Sequence, residues 1–381
     1  MAMGEITVTS RERMVLAMLN KQPDMVPVAP DISNMVPARL TGKPFWDIYL
    51  YQDPPLWKAY IHAMRKYGFD GWLPLYESYG AEEAVDEYTM IVEESPERVV
   101  TRRYAPGPDG ELRWSDRVVV YQADQTPASK SVDTPGLNVE RVPSWYRPID
   151  RDRIPQVEPL EELYFKVKSE MGEDGVVGLS VWIPGPGSPE QIYEYYDNPE
   201  EVRRRAREME EAAVARAEAM CSLKPDFIFI PYSGCFVWNT EESFRDLCLP
   251  TLQKVTAIAK KHGIPSQMHS CGPSRRLVEI CANETDLSSI NPLEMPPMGD
   301  CDLAEVKAKF GHRISLMGNL HTIDTMLKGS PDDVEKAARE AIDAAAAGGG
   351  FILSTGDQCG RDTPDENLYK LVEVAREYGK Y

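Results

Sequence analysis

Residues 266–294 read SQMHSCGPSRRLVEICANETDLSSINPLE, and they contain one complete strand–helix–strand unit. Ser266–His269 and Ser288–Leu293 are short runs bounded by turn residues, as expected of buried strands. Between them, Pro273–Ala282 has the apolar spacing of a helix and begins on proline. A strand, a helix and a strand in this order predict two parallel neighbours in one sheet.

The same alternation of strands and helices extends over most of the chain. Eight strand candidates share this short, turn-bounded pattern: Val26–Ile32, Gly71–Leu75, Val176–Ile183, Phe227–Pro231, Ser266–His269, Ser288–Leu293, Ile314–Met317 and Phe351–Ser354. Helical patterns separate most of them, and Pro250 is expected to break or kink the one at Glu241–His262. Eight repeats predict closure, so we expect an α/β fold, a single (β/α)8 TIM barrel over residues 1–381.

Two additions to the barrel are predicted. Thr9 and Glu12 have capping-box spacing before an amphipathic stretch, which indicates an N-terminal helical extension. Residues 87–153 interrupt the alternation of strands and helices after strand 2. They contain alternating, Val- and Thr-containing runs at Arg98–Tyr104 and Arg113–Tyr121. A Pro- and Gly-rich turn separates these runs. We interpret this region as an inserted β-hairpin or meander with an irregular return.

Composition narrows the classes of function. The net charge of −19 disfavours nucleic acid and anionic membrane as partners. The seven scattered cysteines do not suggest a small disulfide scaffold, and the N-terminus lacks the pattern of a signal peptide. We therefore expect a reduced, cytoplasmic protein whose thiols are available for metal binding or catalysis.

Metal-ligand residues follow several predicted strands. His269 and Cys271 can face one point, although a His-x-Cys pair alone is a weak signal. Glu294 ends strand six and Cys359 follows strand eight, and the carboxyl ends of barrel strands meet at one rim. We therefore predict zinc held by His269, Cys271 and Cys359 with an acid nearby; purely structural thiols are the alternative.

Other side chains are expected at the same rim. His321 follows strand seven and is a candidate acid–base group or pocket wall, and Asn319 is a candidate hydrogen-bond donor. Cys235 follows strand four and could contact substrate. Tyr76 and Tyr79 follow strand two and could line a pocket for a flat apolar substrate.

The motifs together resemble a known family. His269-x-Cys271-Gly272, Asn291-Pro292-Leu293-Glu294, Gly318-Asn319 and Gly349–Leu353 are similar to the uroporphyrinogen decarboxylase superfamily, closest to its zinc-dependent branch that transfers methyl groups to or from corrinoid proteins. The resemblance covers nearly the whole chain and implies a (β/α)8 barrel. It maps the zinc ligands of that branch onto His269, Cys271 and Cys359.

A more remote relative, cobalamin-independent methionine synthase, has the order His-x-Cys, Glu, Cys. Glu294 lies 23 residues after Cys271, and Cys359 lies 65 residues after Glu294, which is similar spacing. This similarity makes Glu294 the expected fourth ligand. The decarboxylase itself carries an Arg-rich segment after its first strand, whereas residues 31–39 here contain one arginine, Arg39.

The resemblance implies a zinc-dependent methyltransferase acting between a small O-methyl substrate, favoured as a methoxylated aromatic, and the cobalamin of a corrinoid protein. There are two enzymatic alternatives: a methylcobalamin:thiol methyltransferase of the coenzyme M type, and a metal-free decarboxylase. A third alternative is a non-catalytic carrier, sensor or assembly protein. The chain lacks a corrinoid-binding Asp-x-His-x-x-Gly motif, so cobalamin is expected on a partner protein. The oligomeric state stays open, with a homodimer as one option.

The first test is the metal content of purified protein. We expect about one zinc ion per chain, and loss of most of it in Cys359→Ala, because zinc affinity depends on each thiolate ligand. Elemental analysis of both proteins measures this. Zinc-free wild-type protein would contradict the zinc mechanism.

Overall fold

The computed structural model describes residues 8–76, 85, 88–106, 112–131, 146–154 and 158–381. The strands are β1 (Gly71–Leu75), β2 (Thr89–Glu94), β3 (Arg98–Pro106), β4 (Leu112–Gln122), β5 (Ala128–Ser131), β6 (Arg147–Pro148), β7 (Gly175–Ser180), β8 (Phe227–Pro231), β9 (Ser266–His269), β10 (Ser289–Asn291), β11 (Ser315–Leu320) and β12 (Phe351–Thr355).

The α-helices are α1 (Ser10–Met18), α2 (Met35–Leu40), α3 (Phe45–Tyr49), α4 (Leu56–Tyr67), α5 (Leu160–Met171), α6 (Pro189–Asp197), α7 (Pro199–Ser222), α8 (Cys235–Trp238), α9 (Glu241–Ser243), α10 (Leu249–Lys261), α11 (Arg275–Glu284), α12 (Leu303–Phe310), α13 (Pro331–Ala345) and α14 (Asp365–Tyr378). Arg151–Arg153 is a 3-10 helix, and Phe244–Cys248 and Thr322–Leu327 are π-helical. None of the helices in the described ranges combines the length and apolar character needed to cross a bilayer.

The chain divides into two compact units. The first comprises Met1–Asp31, Met64–Leu75 and Tyr164–Tyr381, and the second comprises Ile32–Ala63 and Tyr76–Leu163. The prediction of one domain over residues 1–381 stays a prediction.

A parallel sheet with strand order β1-β7-β8-β9-β10-β11-β12 forms the centre of the first unit. The predicted first strand forms only an isolated parallel bridge, between Val28 and Leu353 of β12. On its other side, the segment around Val28 contacts the residue before β1: the Asp70 N–H donates to the Val28 carbonyl at 2.9 Å. The segment thus closes the sheet between β12 and β1, and the predicted (β/α)8 fold class is confirmed. Pro27 and Pro30 lack N–H donors, which explains why this position has no regular ladder.

The second unit contains the antiparallel sheet β5-β4-β3-β2-β6, inserted after the second barrel strand as predicted. Its buried apolar core comprises residues of α2 and α3, of the chain from α3 to the start of α4, and of the sheet and the residue after β6: Ala38, Phe45, Ile48, Tyr49, Leu50, Tyr51, Leu56, Ile91, Val99, Val119, Tyr121 and Ile149.

Local sequence signals account for several element boundaries. The Thr9 hydroxyl accepts from the Glu12 N–H and the Glu12 carboxylate accepts from the Thr9 N–H, which confirms the capping box. The helical pattern at Glu241–His262 is interrupted by the π-helical turn Phe244–Cys248 immediately before α10. The helix continues through this turn, and Pro250 is the second residue of α10. The missing N–H of Pro250 agrees with a local departure from the α-helical hydrogen-bond ladder at this point.

A buried ion pair anchors the closing segment. The Arg13 guanidinium of α1 donates to the Asp70 carboxylate at 2.7 Å, and the other oxygen of Asp70 accepts from the Val28 N–H at 2.9 Å. Arg13 also donates two hydrogen bonds to Asp24. The Arg13 and Asp70 side chains are only 11% and 6% exposed, so water cannot replace either partner easily.

We expect Arg13→Ala to lower the free energy of unfolding by about 3–5 kcal/mol, because it leaves the buried Asp70 carboxylate without its cation. Denaturant unfolding measures the change. Arg204→Ala is the control, because the ion pairs of Arg204 with Glu201 and Glu208 on α7 are exposed and their loss should change little. Equal losses in the two variants would contradict the role of Arg13.

Candidate metal centre

Three acidic ligand groups converge where barrel strands end. Cys271 follows β9, Glu294 follows β10 and Asp357 follows β12. The Cys271 Sγ and one carboxylate oxygen from each acid lie within 4.8 Å of one another. We call Cys271, Glu294 and Asp357 the acidic triad. Thiolate and carboxylate are both zinc ligands, so the set can hold a divalent cation.

The environment of Cys271 opposes ionisation of its thiol. Burial raises the pKa of the Cys271 thiol, the Ser233 hydroxyl lowers it, and the nearby Asp357 and Glu294 carboxylates raise it again. The Ser233 Oγ lies 2.8 Å from Cys271 Sγ. A cation bound beside Cys271 would favour the thiolate, because an opposite charge stabilises the charged form.

Glu294 is positioned by backbone geometry. Its carboxylate accepts a hydrogen bond from the Gly272 N–H, and its side chain is buried. Burial raises the pKa of Glu294, the Gly272 hydrogen bond lowers it, Asp357 raises it and His321 lowers it. The preceding residue, Leu293, has a φ of 61°, which is rare for a branched side chain. This strained residue turns the chain immediately before the Glu294 carboxylate.

Asp357 was missed by the sequence-based prediction. It lies two residues before Cys359 in the same loop and has a φ of 135°. Its backbone carbonyl accepts from the Thr355 hydroxyl at 2.7 Å, and its Oδ1 accepts from the Gln358 N–H at 2.8 Å. The available signal was an acidic residue in the loop after a barrel strand. Cys359 in the same loop was chosen instead, because it matched the zinc-ligand pattern of the family.

Two predicted ligands lie outside the acidic triad. His269 ends β9 and is half-buried, with its ring 6.3 Å from the ring of Phe229. Cys359 is fully buried, and its N–H donates to the Asp31 carbonyl at 2.8 Å. Burial raises the pKa of the Cys359 thiol to about 12, with hydrogen bonds to Thr355 and Thr363 acting in the opposite direction. Their roles as zinc ligands stay predictions.

Asn319 supports the loop that carries Glu294. Its side chain is 4% exposed, and its Nδ2 donates to the Leu293 carbonyl at 2.9 Å. Close packing also occurs one residue earlier, where a Cβ on Gly318 would collide with the carbonyl oxygen of Pro292. In this structure Asn319 therefore positions the backbone before Glu294.

His321 caps the π-helix that follows β11. Its Nδ1 accepts from the backbone N–H groups of Ile323 and Asp324 at 3.2 and 2.9 Å. An accepting Nδ1 carries no proton, so the neutral ring has its proton on Nε2. This buried Nε2 has no hydrogen-bond partner within the described ranges, and the nearest Asp324 carboxylate oxygen is 3.8 Å away. His321 is thus arranged as a hydrogen-bond donor.

The predicted substrate-contacting residues have different surroundings. Cys235 begins α8 and is fully buried, and burial raises the pKa of its thiol well above the ordinary value, with Cys248 and Cys281 adding to the rise. Tyr76 is half-buried, in the second compact unit. Tyr79 lies outside the described residues. The three substrate-binding roles stay predictions.

We expect Asn319→Ala to lower the free energy of unfolding by about 1–3 kcal/mol, because the buried Leu293 carbonyl would lose its donor. Denaturant unfolding measures this. Asn283→Ala is the matched control, since Asn283 is exposed on α11. A loss no larger than the control's would contradict the positioning role of Asn319.

Comparisons with known proteins agree with this architecture. The family model described as uroporphyrinogen decarboxylase (URO-D) matches residues 190–378. A methylcobamide:CoM methyltransferase, MtbA of Methanosarcina mazei, is 26% identical over 166 residues, which are 43% of this chain and 46% of the relative. The uroporphyrinogen decarboxylase of Actinobacillus succinogenes is 22% identical over 272 residues, covering 62% of this chain and 72% of the relative.

The fold has a close structural counterpart. A solved structure named methyltransferase from Methanosarcina mazei superposes with a TM-score of 0.64 at 18% identity, covering 98% of this chain and 99% of the other. The chain spans less than half of the length of the MtbA relative. The family match and the methyltransferase relatives confirm the resemblance: residues 190–378 match the uroporphyrinogen decarboxylase (URO-D) family, and the chain is similar to methylcobamide:CoM methyltransferases.

Proposed function

We propose that the chain is a zinc-dependent methyltransferase. It moves a methyl group between a small O-methyl compound, a methoxylated aromatic, and the cobalamin of a corrinoid partner protein. The observation that carries the proposal is the acidic triad at the carboxyl ends of the barrel strands. Barrel enzymes place their chemistry at this end, and similarity to a methylcobamide:CoM methyltransferase supports the reaction class.

The donor set fits a divalent cation. Cys271, Glu294 and Asp357 offer one thiol and two carboxylates within 4.8 Å of one another, and burial, together with repulsion between these groups, raises the pKa of Cys271 and of Glu294. A bound cation offsets this repulsion, which explains how three acidic groups can share a partly buried site. Cys271 and Glu294 belong to both the sequence-based and the structural sets, so we assign them as the core ligands. Asp357, His269 and Cys359 compete for the remaining positions.

When bound, zinc supplies Lewis-acid polarisation of an ether oxygen, or stabilises a thiolate. The protein residues hold and orient the groups around it. The Gly272 N–H fixes the Glu294 carboxylate, and Asn319 fixes the Leu293 carbonyl before it. The Nε2–H of His321 has no acceptor among the described residues and is suited to a substrate oxygen. Positioning and electrostatics of this kind carry methyl transfer, in which proton transfer is minor.

A methylcobalamin:thiol methyltransferase is the second candidate. It is favoured by the name of the MtbA relative, which gives CoM as a substrate. The same triad would serve it, because zinc lowers the pKa of a bound thiol. The decarboxylase alternative is favoured by the Actinobacillus relative. It is weakened by the single arginine in residues 31–39, since a substrate with many carboxylates needs several cations.

The two candidate methyltransferases can be distinguished with free cobalamin, because one forms methylcobalamin and the other consumes it. Zinc-loaded protein should convert cob(I)alamin to methylcobalamin with 2-methoxyphenol, whereas a thiol enzyme should consume methylcobalamin in the presence of coenzyme M. Visible absorption follows both reactions. Cys271→Ala should lower the rate by about 100-fold or more, because it removes a ligand of the catalytic cation.

Cys221→Ala is the matched control, since Cys221 is a buried thiol of α7 far along the chain from the triad. Zinc content of Asp357→Ala and Cys359→Ala then decides which of the two residues is a ligand. Methyl transfer that proceeds equally well without zinc would contradict the proposal, and release of carbon dioxide from aromatic acids would favour the decarboxylase.

A further inference from the structure

The interior face of the barrel can be identified from contacts between strands that are not neighbours. The Trp72 Nε1 on β1 donates to the Gln267 Oε1 on β9 at 2.6 Å, although β7 and β8 lie between these strands in the sheet. Gln267 also reaches the sulfur of Met317 on β11, across β10. These contacts cross the barrel, so Gln267 points into its interior.

Asn291 lies on the same interior face as Gln267, two residues nearer the carboxyl ends of the strands. Ser289 pairs in register with Gln267 and accepts from its Nε2 at 3.2 Å, so Ser289 also faces inward. Side chains two residues apart on a strand share a face, which places Asn291 inward as well. Asn291 pairs in register with His269, two residues beyond Gln267. The register of β9 and β10 thus gives Asn291 the same inward orientation as Gln267.

The two interior amides differ in their hydrogen bonds. The Gln267 amide is satisfied on both atoms by Trp72, Ser289 and Met317. The Asn291 side chain is 2% exposed, yet its Oδ1 has no hydrogen-bond partner in the described part of the chain. A buried acceptor without a donor is costly in free energy. An unpaired acceptor at the catalytic end of a barrel is therefore suited to a ligand.

The position of Asn291 connects it to the acidic triad. Asn291 ends β10 and is followed three residues later by Glu294, and its register partner His269 is followed two residues later by Cys271. The two strand ends are also joined beyond the sheet, because the Ser270 N–H donates to the Asn291 carbonyl at 2.8 Å. His269 and Cys271 are partly exposed, so solvent reaches the strand ends beside Asn291.

We propose that Asn291 is a substrate-binding residue that accepts a hydrogen bond from a donor group of the methyl compound. This inference rests on the proposed function and names its substrate class: a methyl ether that also carries a hydroxyl group, such as a methoxyphenol. A hydroxyl donor would satisfy the Asn291 Oδ1, while the methyl-bearing oxygen faces the acidic triad. A fully methylated analogue would leave the acceptor unpaired.

The test compares 2-methoxyphenol with 1,2-dimethoxybenzene, which differ by the donor. Isothermal titration of zinc-loaded protein without cobalamin measures binding alone. Wild-type protein should bind 2-methoxyphenol about 5- to 10-fold more tightly, the range expected for one hydrogen bond in a site that is otherwise satisfied. Asn291→Leu, close in size and without an acceptor, should reduce this ratio to about one.

Asn291→Ala provides a second variant should the leucine disturb packing, and Asn283→Ala on the exposed face of α11 is the control. Zinc content and thermal unfolding verify that each variant keeps its site and fold. An unchanged ratio in both Asn291 variants, or equal binding of the two compounds by wild-type protein, would overturn the assignment. Because no cobalamin is present, a failed methyl-transfer assay combined with the expected binding ratios would contradict the proposed function and leave Asn291 as a binding residue.

Discussion

The barrel depends on how a proline-containing segment closes a parallel sheet. A regular strand cannot form around Pro27 and Pro30, so closure relies on a few hydrogen bonds to β12 and on the Asp70 carboxylate. Asp70 joins the Val28 N–H to the Arg13 guanidinium, and α1 thereby holds the segment from one end of the barrel. Since all strands run in one direction, this closure also fixes the ring of loops at the opposite end.

The loops of that ring bring together groups that repel one another. Cys271, Glu294 and Asp357 are all acidic, and burial together with their proximity opposes ionisation of the Cys271 thiol and the Glu294 carboxyl. Their positions are held by the Gly272 N–H and by the strained backbones of Leu293 and Asp357. Strain and repulsion of this kind are found where a protein prepares a site for a ligand. A cation would convert the repulsion into attraction.

Polar groups in the barrel differ in their hydrogen bonds. The Gln267 amide forms its hydrogen bonds within the protein. Nearer the carboxyl end of the strands, the Asn291 Oδ1 has no hydrogen-bond partner among the described residues, and His269 is partly buried. At the rim, the His321 Nε2 likewise has no partner among the described residues, while its Nδ1 caps a helix. The end of the barrel where the acidic triad lies therefore offers both an acceptor and a donor to a ligand.

The sequence by itself determined the alternation of strands and helices, the capping box at Thr9 and the β-insertion, because local periodicity and turn residues encode these features. It also identified Cys271 and Glu294, since both directly follow predicted strands whose ends must meet. Only the tertiary structure brought Asp357 into the triad and left His269 and Cys359 outside it. In a loop, side-chain direction depends on backbone angles such as the φ of 135° at Asp357, which residue type does not predict. The support that Asn319 gives to Leu293 likewise required the fold, because it joins two loops 26 residues apart.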